Sequence, residues 1–306
     1  MGDTKIEWAE KTWNPVTGCT KISPGCEHCY AERMSKRLAG RCGYHEKLPF
    51  AVTLHPDKLD EPLRWREPSR IFVCSMGDLF HQDVPDRALH DVFHRISLSW
   101  KHRFLVLTKR PDRMKEFILD YFAFRSPSGD EEGVNPPANL WLGVTAENQE
   151  QADRRIPILL EIPAAKRFVS LEPMLGEVFL NRYLKWPICK TWNPSEGGND
   201  HEYGKHHWQK QCLVGAGWTG LDQVICGGET GPGARPMHPE WARSLRDQCQ
   251  AAGTAFFFKQ WGSGAEMGSG LPGHPRKEAG YDFSNSKGGR ILDGRTWDET
   301  PEVPHA

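Results

Sequence analysis

The sequence predicts an α/β fold in which strands and helices alternate and a parallel sheet closes, fully or partly, into a (β/α) barrel. Three observations carry this. Short apolar runs such as IFVCS, FLVLT, LWLGVT, RFVSL and AFFF recur along the chain. Stretches with apolar residues at helical spacing separate them. Polar residues gather directly after the apolar runs, where parallel barrels place their function.

Taken in order, residues 11–18 read as a first strand entering a cysteine-rich loop. Residues 30–38 follow as a helix, with Tyr30, Met34 and Leu38 at helical spacing. Residues 71–75 are a buried parallel strand bounded by Gly77 and Asp78. Residues 86–100 form an amphipathic helix with Leu89, Val92, Phe93, Ile96 and Trp100 on one side. The strand 104–108 precedes a helix opening at Pro111, a favoured first-turn residue. The strand 140–145 precedes a helix over 148–161 that Pro157 is expected to interrupt. Strands at 167–171, 223–226 and 255–258 complete the series, with a helix at 239–251 between the last two. Residues 126–137 are a polar loop. The expected division is a barrel-like domain 1–262, including a Gly-, His- and Trp-rich insertion at 183–220, and an irregular C-terminal extension 263–306.

Composition narrows the function. A chain of 306 residues, 38% hydrophobic and 26% charged, buries a full core and reads as soluble. No run reaches the roughly 18 apolar residues of a membrane span, and the acidic, polar start lacks a secretion signal. A cytoplasmic location with reduced thiols is expected, so nine cysteines do not imply a disulfide scaffold. A formal net charge of −1 excludes the global basic footprint of non-specific nucleic-acid binding.

Cys19, Cys26 and Cys29, spaced C-x6-C-x2-C between a strand end and a helix start, form one candidate metal site. A helix N-terminus favours thiolates, and Gly18, Pro24 and Gly25 supply the tight turns of a wrapping loop. Closed zinc needs four ligands. His28 lies between two of the cysteines, and no second C-x2-C pair follows. Three cysteines without an obvious fourth ligand favour an iron–sulfur cluster with one open position, with zinc as the alternative.

The strand-end rule adds candidates. They are Gly77 and Asp78, Thr108 and Lys109, Thr145 and Glu147, Ser170 and Glu172, and Gly227, Gly228 and Glu229. Each also has an ordinary structural role open to it: Asp as a helix cap, Glu in a turn, Lys in solvent. Recurrence at the same topological place lifts the set. Cys74, Cys226 and Cys249 read as buried packing thiols. In the insertion, Cys189 and Cys212 with His201, His206 and His207 are candidate ligands of a small zinc knuckle, though irregularly spaced. A substrate-facing, Trp-rich lid is the favoured reading of the segment, with the second metal left open.

The loop residues Asn14-Pro15, Gly18-Cys19, Gly25-Cys26 and Cys29-Tyr30-Ala31 resemble the cluster loop of radical S-adenosylmethionine (SAM) enzymes of the spore photoproduct lyase branch. That branch spaces its cysteines C-x3-C-x2-C; here the first gap is six. TWNPVTGC, CEHCYAERM, GDLFH, LTKRP, LGVTAEN, RFVSLEPMLG, ICGGETGPGARPM, FFFKQWG and LDGRTWDE resemble a phage-associated three-cysteine-motif family of uncharacterised function. These resemblances imply a radical-SAM-like barrel holding a 4Fe–4S cluster and SAM. Asp78 would then accept from the methionine ammonium, and Gly227-Gly228 would admit the adenine or methionyl part. They also imply a DNA or nucleotide substrate, an electron donor protein and, for a phage-encoded chain, the host cytoplasm. Trp141, Trp218 and Trp261 are the rings expected to stack on a base. A metal-dependent hydrolase finds no supporting motif, and a zinc-stabilised nucleic-acid-binding or accessory protein without SAM chemistry is the alternative function.

Overall fold

The computed structural model describes residues 4, 6–123, 136–185, 220–263, 280–282 and 284–301. In chain order the strands are β1 (Lys11–Trp13), β2 (Val16–Thr17), β3 (Thr53–Leu54), β4 (Arg70–Val73), β5 (Arg103–Thr108), β6 (Leu140–Thr145), β7 (Lys166–Leu171), β8 (Gln223–Gly227) and β9 (Ala255–Gln260). The helices are α1 (Tyr30–Arg37), α2 (Glu61–Arg64), α3 (Asp86–Leu98), α4 (Pro111–Ala123), α5 (Gln149–Leu160) and α6 (Pro239–Ala252).

Seven strands form one parallel sheet in the order β1-β4-β5-β6-β7-β8-β9. Among the described residues β1 and β9 are its two edges, so the curled sheet is a half-barrel. The period of two sorts each strand onto two faces. Val106, Leu142, Val169, Val224 and Phe256 join the larger core, beneath Leu89, Phe93, Met114, Ile156 and Leu245 of the helices. Leu105, Trp141, Phe168, Ile225 and Phe257 point into the curl and form a second cluster. Trp8 fills that curl, its ring 4.6 Å from Phe72 and 6.2 Å from Phe168.

Several boundaries differ from the sequence reading. The expected first strand 11–18 is broken at Asn14-Pro15. Its second half, β2, leaves the main sheet and pairs antiparallel with β3. Helix α5 runs through Pro157 without interruption. The lost hydrogen bond and ring clash cost about 3 kcal/mol. Full burial of Ile156 and Leu159 offsets this, at about 1.5–3 kcal/mol each. Trp100 lies beyond the end of α3 and is 79% exposed, while Leu89, Val92, Phe93 and Ile96 are buried as expected. Cys74 follows β4 rather than lying within it. Tyr281, Leu292 and Trp297 of the C-terminal segment pack into the main core.

Most of the 126–137 loop and of the 183–220 insertion, with Cys189, His201, His206, His207, Cys212 and Trp218, lies outside the described residues. Among the described residues no helix is long and apolar enough to cross a membrane.

Candidate functional site

The cysteine loop is brought to the sheet by a backbone contact that requires two glycines. The Gly18 N–H donates to the Met76 carbonyl at 2.9 Å, and Gly18 and Gly77 form a parallel bridge. A Cβ on Gly77 would stand 2.7 Å from the Gly18 carbonyl oxygen. Gly18 itself sits at φ +86, where a side chain would strike the Ala51 carbonyl. Cys19 therefore emerges beside the end of β4. Pro24–Cys26 is a single 3-10 turn, and Cys29 is the residue that caps α1. All three thiols are partly buried and line one cavity of about 250 Å³ at the C-terminal ends of the strands.

Two cations stand with the thiols. Arg110, just after β5, donates through Nη1 to Cys19 Sγ at 3.4 Å and to Asp78 Oδ2 at 2.9 Å. Its Nη2 donates to the Thr20 carbonyl at 3.1 Å. Burial, with the Asp78 carboxylate nearby, pushes the Cys19 thiol up to about 11 although Arg110 opposes it. At Cys26 burial also acts upward, but the Lys109 ammonium and hydrogen bonds from the Ile22–Ser23 segment outweigh it and hold the thiol below its ordinary value. Among the described residues no three His, Cys, Asp or Glu side chains converge as ligands of a single ion.

Of the strand-end candidates, Gly77, Asp78, Thr108, Lys109, Thr145, Ser170, Glu172, Gly228 and Glu229 line the cavity. Glu147 and Gly227 are not among its lining residues. Glu147 is fully buried beneath the cysteine loop, accepting from the Gly25 N–H at 3.0 Å and from Arg155 Nη1 at 3.0 Å. Burial acts to raise its carboxyl, and the Ser23 hydroxyl, Arg155 and the Gly25 N–H together bring it below the usual carboxylate range.

Asp78, expected as an acceptor for an ammonium, lines the cavity and already accepts hydrogen bonds within the protein. Its Oδ1 accepts from the Thr108 hydroxyl at 2.7 Å and the Phe80 N–H at 3.0 Å. Its Oδ2 takes Arg110 and the Lys109 N–H at 3.2 Å. Gly228 lines the cavity but is glycine for another reason: a Cβ there would stand 1.8 Å from the Trp261 carbonyl oxygen. Glu172 accepts from Lys259 Nζ at 2.6 Å and Gln260 Nε2 at 2.9 Å.

Trp141 and Trp261 cannot stack on a base. They are 2% and 3% exposed, and the Trp261 indole N–H donates to the Ile291 carbonyl. Cys74, Cys226 and Cys249 are buried as expected, and burial pushes each thiol upward, Cys74 to about 12. The strand-end rule reaches Arg110, directly after Thr108-Lys109, but it missed Arg155 and Arg235, which carry no local signal.

Among solved structures the chain is similar to spore photoproduct lyase complexed with dinucleoside spore photoproduct, at 11% identity and a TM-score of 0.43, covering 96% of this chain and 71% of that one. It is also similar to a lyase mutant with bound AdoMet and dinucleoside spore photoproduct, at 13% identity and a TM-score of 0.38. That match covers 56% of this chain and 48% of the lyase, about half its length. No curated protein matches. The chain belongs to the family described as "Protein of unknown function (DUF5131)", whose model matches residues 3–301.

Proposed function

We propose that this chain is a radical SAM enzyme that modifies or repairs a nucleic-acid base or nucleotide, with a 4Fe–4S cluster on Cys19, Cys26 and Cys29. The observation that carries the reading is the meeting of three thiols from one C-x6-C-x2-C loop in a cavity at parallel strand ends, with Lys109 and Arg110 beside them. The donor set fits the group. Three thiolates from one loop suit a cluster with one open iron, while a closed zinc site would need His28, which lines the same cavity, as its fourth ligand. When bound, such a cluster supplies one electron for cleaving SAM to methionine and a 5′-deoxyadenosyl radical.

The protein's own groups have separable tasks. Lys109 and Arg110 offset the negative charge of thiolates that coordination leaves deprotonated. Asp78 fixes Arg110 from the cavity wall. Glu172, held by Lys259 and Gln260, offers a carboxylate for an ammonium or ribose hydroxyls. Ile6, Trp8, Phe72 and Leu107 give the cavity an apolar floor that excludes water from a reactive radical. Tyr30, 55% exposed on the cavity wall, is the ring available to stack on a base. An electron donor protein in a reducing, cytoplasmic compartment completes the scheme.

Anaerobic reconstitution with iron and sulfide tests the cluster. A brown chain that dithionite bleaches is expected, with both properties lost in Cys29→Ala. A colourless chain carrying stoichiometric zinc after that treatment would overturn the reading.

A further inference from the structure

The segment that follows β8, residues 229–235, is built against the cysteine loop. Glu229 is buried, and Arg235 grips its two carboxylate oxygens through Nε at 2.9 Å and Nη2 at 2.6 Å. The Arg235 N–H adds a third bond to the same carboxylate at 2.9 Å. The guanidinium then reaches across to the loop. Its Nη2 donates to the Pro24 carbonyl at 2.9 Å and its Nη1 to Glu27 Oε2 at 3.0 Å. Pro24 and Glu27 bracket Cys26 in the chain.

A second tie runs in parallel. Arg33, on the helix that Cys29 caps, donates through Nη1 to the Thr230 carbonyl at 2.9 Å. Gly231, at φ +97, makes room for it, since a Cβ there would stand 2.3 Å from Arg33 Nη1. Cys19 is held from elsewhere, by Arg110 after β5, which is itself paired with Asp78 after β4.

We propose that Arg235 is a positioning residue: anchored on Glu229, it straps the turn that carries Cys26 and Cys29 in place before any metal binds. The inference deepens the functional reading above and rests on it for the cluster, but the strap itself belongs to the metal-free chain. A planar guanidinium satisfies several acceptors in fixed directions at once, which an ammonium cannot do. A turn ordered in advance also gives up less conformational entropy when it takes up a metal.

The test is native-state alkylation of the reduced, metal-free full chain with iodoacetamide, read at each cysteine by mass spectrometry. In Arg235→Leu, Cys26 and Cys29 are expected to react roughly tenfold faster, the factor that accompanies loss of one charge-assisted hydrogen bond, while Cys19 keeps its rate. Arg235→Lys should behave alike, because it keeps the charge but not the reach to Pro24 and Glu27. It also serves if the leucine variant fails to fold. The proposal is overturned if all three thiols accelerate together, if none does, or if lysine restores the original rates. A wild-type chain that forms no cluster would sink the enzyme reading and leave these rates standing. Unchanged rates in a chain that does form the cluster would sink the strap alone.

Discussion

At the scale of single residues, Gly227 and Gly228 separate two meanings of a glycine-rich strand end. A Cβ on Gly228 would overlap the Trp261 carbonyl, whereas one on Gly227 would meet Lys259 and Glu172 at 3.4–3.5 Å, an ordinary contact. Gly228→Ala is therefore expected to cost about 3 kcal/mol by overpacking, and Gly227→Ala less than about 1 kcal/mol. Urea unfolding of the two variants checks this. Equal costs would show that Gly228 is not a packing glycine. The sequence carried the pair as candidates because both follow an apolar run, but nothing local says which chain segment comes to lie against them. The same holds for Asp78. Its place after β4 was legible; its hydrogen bonding with Thr108, Lys109, Phe80 and Arg110 depends on where β5 ends.

At the scale of elements, Glu147 joins three of them: it follows β6, pairs with Arg155 of α5 and holds the Gly25 N–H of the cysteine loop. Removing one partner of a pair as buried as this leaves an uncompensated charge. Glu147→Gln is expected to destabilise the chain by roughly 3–5 kcal/mol. The double variant Glu147→Gln with Arg155→Met should recover part of that loss. Additive losses in a double-mutant cycle would contradict the pairing. Strands β6, β7 and β8 were legible because each apolar run is short, bounded by turn residues and buried on both faces. Where α3 ends was less legible, since Trp100 continues the helical spacing past Leu98 and only tertiary packing excludes it. Arg235 gave no signal, because its acceptors Pro24 and Glu27 are distant in sequence.

For the whole molecule, acidity is expected to weaken the fold before its carboxylates protonate. His55 and His102 are buried, and burial lowers both imidazoles from 6.5, with Lys58 and Lys101 respectively adding to the shift. Below about pH 6.5 the unfolded chain binds more protons at these sites than the folded one, so stability falls as pH drops toward the folded values. Urea midpoints at about pH 7.5 and about pH 5.5 should differ in that direction, and His55→Gln with His102→Gln should reduce the difference, leaving the share of His81, which is also buried and lowered by burial and Arg110. An unchanged slope in the double variant would assign the effect to other groups.

The central claim concerns the three thiols at the C-terminal ends of the half-barrel's strands, and one assay addresses it most directly. The anaerobically reconstituted, dithionite-reduced chain is incubated with SAM, and 5′-deoxyadenosine is quantified. The account predicts its formation in the wild type and its loss in Cys19→Ala, Cys26→Ala and Cys29→Ala alike. A chain that holds its cluster and yields no 5′-deoxyadenosine, or a cysteine variant that yields as much as the wild type, would contradict it.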